Sequence, residues 1–116
     1  MISQRDIVEV PFNLPQGVKP HPVIVLSNDE AIQEEGSFIG LMMSTEKWND
    51  LYTFEITSDM LLKKLNVSYS EARLHLISFF RTKEVVPTSN FNNKLKPEFF
   101  KELIKVNRIT FGLEPL

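Results

Sequence analysis

The sequence predicts a mainly β protein: a small barrel of strongly bent antiparallel strands closed by one C-terminal helix. Three observations carry that reading. Short apolar or alternating segments follow one another closely, and prolines and glycines punctuate the first half. The apolar period changes from two to about 3.6 only near Pro97. A length of 116 residues holds one core, so a single domain over 1–116 is expected.

Each element follows from its residues. In DIVEVPF, residues 6–12, Val8, Val10 and Phe12 share one face and Ile7 and Glu9 the other, which is the period of a strand. NLPQGVKP, 13–20, carries two prolines and a glycine and reads as a bent loop. HPVIVLSN, 21–28, reads as a strand buried on both faces, since Val23 to Leu26 are apolar without alternation. DEAIQEEG, 29–36, is short, acidic and ends in glycine, as a single helical turn or a loose connection would. SFIGLMMST (37–45) and YTFEIT (52–57) read as strands, and SDMLLKKLN as a short helical turn. EARLHLISFF, 71–80, alternates and then breaks pattern, which suggests a strand with a bulge near Ser78. RTKEVVP reads as the paired strand of a hairpin. Pro97 suits a first helical turn, Phe99, Leu103 and Val106 recur at helical spacing beside Phe100 and Ile104, and Gly112 ends a helix of about 97–111.

Composition narrows the function classes. The chain is 42% hydrophobic and 24% charged, without charge runs, which is globular and not disordered. Absence of cysteine excludes a disulfide framework and a thiolate metal site. No apolar run approaches the roughly 20 residues of a membrane helix, so no membrane association is expected. Together with the lack of a signal-like N-terminus this points to a cytoplasmic protein. A net charge of −2 means that any nucleic-acid contact must be local, in a groove.

The order RDIVEVPF, a proline-interrupted loop, HPVIVLSND, a strand ending MMSTE, then ISFFRTKEV and a helix resembles the MazF/PemK toxins of type II toxin–antitoxin systems, within the CcdB/PemK-like superfamily. The resemblance spans nearly the whole chain. It implies an SH3-like barrel, a homodimer, a cognate antitoxin partner, and cleavage of single-stranded RNA with neither metal nor cofactor. This chain also departs from the family pattern. His21 stands where the family usually has an arginine, while RDIV corresponds to the Gly-Asp-[Ile/Val] start of the family's first strand. Gapless alignment on Arg81 and Thr82 puts Ser78 where many members carry a carboxylate. An alternative alignment matches Arg73-Leu74-His75 to an Arg-x-Asp segment, at the expense of a three-residue insertion.

Cleaving RNA without a metal needs a base for the 2′-hydroxyl, an acid for the leaving 5′-oxygen and a donor or cation for the phosphorane. The chain's two histidines, His21 and His75, can carry protons, and an arginine can hold phosphate bidentately. The expected catalytic set is His21, Arg73 and His75, the last two sharing a strand face by their spacing of two, together with Thr45, which the resemblance implies because the family has a serine or threonine at the end of the third strand, matched here by Ser44 or Thr45. Lys19, Ser44, Trp48 and Ser78 are the expected RNA contacts, Trp48 as a surface for stacking a base. The structural alternatives are plain: His21 between two prolines closes a turn, Arg73 and His75 form a solvent face, Trp48 covers the barrel mouth, and Lys63 and Lys64 are a solvated patch. If the chemistry is lost, the same fold serves as a PemK-like or CcdB-like module that binds or inhibits a protein partner.

Overall fold

The computed structural model describes residues 2–64, 66–67, 69–86 and 93–112. Six antiparallel strands form one curled half-barrel sheet in the order β4-β5-β3-β2-β1-β6. The sheet separates two apolar clusters. One, with Ile7, Ile24, Leu41, Met43, Ala72 and Leu74, is covered by the C-terminal helix through Leu103. The other, with Val8, Val10, Val23, Val25, Phe38 and Phe80, is covered by the first helix through Ile32.

β1 (Asp6–Leu14) and β2 (Gly17–Val25) form a long hairpin whose register runs from Ile7↔Ile24 to Leu14↔Gly17. Residues 13–20 are therefore strand and turn, not the bent loop expected from their prolines, and Gly17 takes the positive φ of 125° that the turn requires. The prolines are tolerated because of where their nitrogens point. Bonded and non-bonded pairs alternate along an antiparallel ladder. Pro11↔Pro20 has no N–H to exchange, so it is a non-bonded pair, Val10↔His21 is bonded and Glu9↔Pro22 is non-bonded. The Glu9 carbonyl agrees, since it points away from β2 and accepts the Val86 N–H at 2.9 Å.

The same alternation ends β2 pairing on its other edge. β3 (Ser37–Ser44) pairs with β2 only at Val25↔Gly40, Ile24↔Leu41 and Val23↔Met42. The next bonded position would set Pro22 against Met43, and Pro22 has no donor to give. The ladder stops there and the strands part. Between them, Val23, Ile24 and Val25 are fully buried, as expected for a strand covered on both faces. At Gly40 the strands approach closely, and a Cβ there would come within 2.4 Å of Val23 Cγ1.

Leu26 to Asn28 leave the strand, and Asn28 caps α1 (Asp29–Glu35) by accepting the Ala31 N–H at 2.8 Å. Gly36 closes that helix at φ 63°, so this segment is a full short helix and not one loose turn. β4 (Thr53–Glu55) and a 3₁₀ turn, Ser58–Met60, match expectation. β5 (Glu71–Arg81) is bulged, but not at Ser78, which pairs regularly with Gly40. The irregularity lies lower, where Met42 alone faces residues 73–76, between Leu41↔Ile77 and Met43↔Ala72. Thr110 Oγ1 donates to the Leu74 carbonyl within the bulge at 2.8 Å.

After Arg81 the chain makes a 3₁₀ turn at Thr82–Glu84, held by the Arg81 N–H on Glu84 Oε1 at 2.8 Å and by Thr82 on the Gly36 carbonyl. The hairpin strand expected for RTKEVVP is thus absent from residues 82–86, because those local bonds satisfy the backbone instead. β6 (Asn93–Lys94) pairs with the start of β1, and α2 (Pro97–Asn107) continues as a 3₁₀ turn to Phe111.

Candidate functional site

Where β2 and β3 part, an open cleft of about 730 Å³ forms. Lys19, Pro20, His21 and Pro22 line one side and Met43, Ser44, Thr45 and Glu46 the other. Lys63, Lys64, Asn66 and Ser70 close it, with Glu9 and Asn93 contributing from the hairpin side and from β6. Four sequence-derived candidates, Lys19, His21, Ser44 and Thr45, thus meet in one concavity.

His21 sits in the middle of β2 and closes no turn. Directly opposite Val10, it leaves the sheet on Val10's face, and its ring meets Phe12 edge-on at 5.5 Å. Nε2 is buried and, among the described residues, has no hydrogen-bond partner. A buried imidazole nitrogen without a partner is uncommon and marks a place where a ligand or a rearrangement can add a bond. Ser44 Oγ accepts the Glu46 N–H at 3.1 Å, which fixes the turn that carries Thr45.

Arg73 and His75 do not join this group. The bulge at residues 73–76 breaks the alternation that would have put them on one face, so Arg73 is buried and His75 is exposed. His75 packs against Tyr52 with ring centroids 4.9 Å apart and the planes tilted by 49°. Arg73 clasps Asp50 through Nη1 and Nη2 at 3.1 and 2.8 Å, donates to Thr53 at 2.8 Å and reaches Glu71 at 3.3 Å. Its guanidinium lies 4.9 Å from the Trp48 ring. Arg73 holds the Asp50 carboxyl down at about 2, and Asp50 in turn raises the guanidinium further. Glu71 is fully buried and accepts the Tyr69 hydroxyl at 2.5 Å, which pushes that phenol up to about 12. Trp48 and Ser78 also lie outside the cleft lining.

Sequence reasoning passed over Glu9 and set Lys63 and Lys64 aside as a solvated patch, and the fold brings all three to the cleft. Glu9 left a signal, as the one charged residue inside an otherwise apolar run from Ile7 to Phe12. The two lysines showed only as a basic pair, because tertiary folding alone carries their segment across to β2.

A curled sheet with its seam open between β2 and β3, and a helix over the opposite strands, defines the class to which this protein belongs. The comparisons give the family. The model of the "PemK-like, MazF-like toxin of type II toxin-antitoxin system" family matches residues 3–107, so the chain belongs to that family. No curated protein matches in sequence. Among solved structures, MazE–MazF from Deinococcus radiodurans is similar with a TM-score of 0.74 at 10% identity, over 97% of this chain and 98% of that one. The Mycobacterium tuberculosis toxin MazF-mt6 gives 0.72 at 12% identity, over 95% and 99%. An endoribonuclease in complex with its cognate antitoxin, from a mycobacterial species, gives 0.70 at 10% identity over 98% of both chains. At such identities the likeness speaks for the fold.

Arg5 explains one departure from the family pattern in physical terms. It adopts φ 76°, a backbone conformation that glycine takes freely and that costs an L side chain about 1–2 kcal/mol. Arg5 is held there by its N–H on the Val25 carbonyl, its carbonyl on the Leu95 N–H and Nη1 on the Leu95 carbonyl, all at 2.8–2.9 Å.

Proposed function

We propose that this toxin-family protein is an endoribonuclease that cleaves single-stranded RNA within the β2–β3 cleft, using side chains of its own. The observation that carries the reading is the interrupted ladder: proline ends the pairing at Val23↔Met42, and the opened seam is lined by Lys19, His21, Ser44, Thr45, Lys63 and Lys64. Three lysines give the phosphate path local positive charge within a chain of net charge −2. Thr45 and Ser44 supply hydroxyl donors for a phosphorane oxygen. His21, acting through Nδ1 because Nε2 is enclosed, is the proton carrier, while Glu9 lines the cleft from the opposite face of the hairpin. His21 takes the 2′-hydroxyl proton as that oxygen attacks phosphorus, and the imidazolium so formed returns a proton to the departing 5′-oxygen. The products are a 2′,3′-cyclic phosphate and a free 5′-hydroxyl.

Arg73 and His75 have no contact role in this scheme. The antitoxin-bound neighbours support an antitoxin as partner. Ile39 and Phe79, paired across β3 and β5 and both exposed, support self-association through that face. The enclosed Nε2 favours one second reading, a binding module without catalysis. Incubating purified protein with single-stranded RNA in EDTA and mapping product ends separates the two. Cyclic-phosphate ends that vanish in Thr45→Ala support the enzyme, and intact RNA across pH 5 to 9 leaves the binding module.

A further inference from the structure

The polar network around Arg73 lies beside the cleft and binds two of its walls. One wall is the β3 terminus, Ser44 to Glu46, which runs on through Lys47, Trp48, Asn49 and Asp50 to β4. The other is the approach to β5, where Asn66 and Ser70 line the cleft next to Tyr69 and Glu71. The first wall is irregular, and Asn49 turns it at φ 52°, so regular pairing cannot fix its position. Arg73 supplies what pairing lacks. Its two-pronged hold on Asp50, its bond to Thr53 and its contact with the Trp48 ring grip the first wall at three points. Its bond to Glu71, which holds the Tyr69 hydroxyl, ties in the second. Lys47 Nζ lies 4.9 Å from the Tyr69 ring and links the walls once more.

We propose that Arg73 is a positioning residue: it locks the Lys47–Thr53 segment to β5 and thereby sets Ser44 and Thr45 at the cleft. The inference rests on reading the cleft as the cleavage site, but its physical core does not need that reading. Lysine cannot replace Arg73 fully, because a single ammonium offers Asp50 no paired donors and Trp48 no flat cation.

Trp48 is the sole tryptophan and is half exposed, so its fluorescence reports the lock directly. The test compares wild type, Asp50→Asn and Arg73→Lys as full chains, by acrylamide quenching of Trp48 and by steady-state RNA cleavage. Asp50 lies at the rim, so Asp50→Asn keeps the fold even if a change at buried Arg73 does not. The expected result is more quenching in both variants and kcat lower by about 10- to 100-fold with KM little changed, as displaced catalytic groups give. Arg73→Lys should retain more activity than Arg73→Met. Wild-type quenching in both variants overturns the lock. A loosened Trp48 with wild-type kcat overturns its effect on the cleft. If wild type cleaves no RNA, the cleavage reading fails and the quenching alone decides the lock.

Discussion

Two polar clusters, the cleft and the Arg73 network, lie a few residues apart along the chain and are built on opposite principles. In the network every charge is matched: Glu71 is fully buried yet bonded to Tyr69 and Arg73, and Arg73 spends its donors on Asp50, Thr53 and Glu71. In the cleft, Lys19, Lys63 and Lys64 make no ion pair among the described residues, and His21 holds a buried nitrogen without a partner. A satisfied cluster has its bonding capacity committed to structure. An unsatisfied cluster in a concavity keeps that capacity for a ligand.

The sharpest way to break this contrast is to remove one residue from each side. His21→Ala should lower the cleavage rate by about 10²- to 10⁴-fold while costing about 1 kcal/mol or less in stability. Single-turnover cleavage and a urea melt on the same sample measure both, and a rate equal to wild type would remove His21 from the chemistry. Arg73→Met should invert the balance, with a large loss of stability beside the smaller loss of kcat, about 10- to 100-fold, that a displaced cleft wall gives. It leaves the Glu71 carboxylate buried without its cation, which costs about 3–5 kcal/mol. An unchanged unfolding midpoint would mean that the network is ornamental.

What the sequence revealed and what it hid divide along the same line. β1, the doubly buried Val23–Val25, α2 and the family pattern were legible, because period and local chemistry specify them. The hairpin arm was misread because a proline in sequence says only that a donor is missing, not which way it would have pointed. Arg73 and His75 were placed on one face by a period-two argument that the bulge at 73–76 cancels, and a bulge depends on the partner strand. Lys19, His21, Ser44 and Thr45 were within reach because they lie on or at the ends of strands whose register the pattern suggests. Lys63 and Lys64 reach the cleft only through tertiary folding.

A smaller effect tests why the cleft opens at all. Pro22→Val restores an N–H on the β2 edge that faces β3 and lets the ladder continue at Met43. The added hydrogen bond contributes about 0.5–1.5 kcal/mol, and the freer unfolded chain offsets about 0.4–1 kcal/mol of it. The melting point should therefore hardly move. The new amide should be protected from hydrogen exchange, and cleavage should fall several-fold as the seam narrows. Rapid exchange at residue 22 would show that something other than the missing donor keeps the strands apart.

The smallest expected effect is a pH dependence confined to the network. Arg73 holds Asp50 at about 2, against an ordinary value of 3.8. A carboxyl whose folded value is depressed stabilises the folded state fully above its unfolded value and loses that contribution as pH falls through its folded value. The window is therefore about pH 4 down to 2. Wild type should exceed Asp50→Asn in stability by a constant margin from pH 7 to about 4, and the margin should shrink as the pH approaches 2. Because the pair is partly solvent-exposed, the margin should also shrink in high salt. A margin that instead changes between pH 5 and 8 would point to a histidine, and the nearest one in the fold is His75 on Tyr52, outside the network. Adding His75→Gln to both proteins separates the cases: a change between pH 5 and 8 that disappears belongs to the imidazole, while the loss between pH 4 and 2 should remain, since it belongs to the Asp50–Arg73 pair.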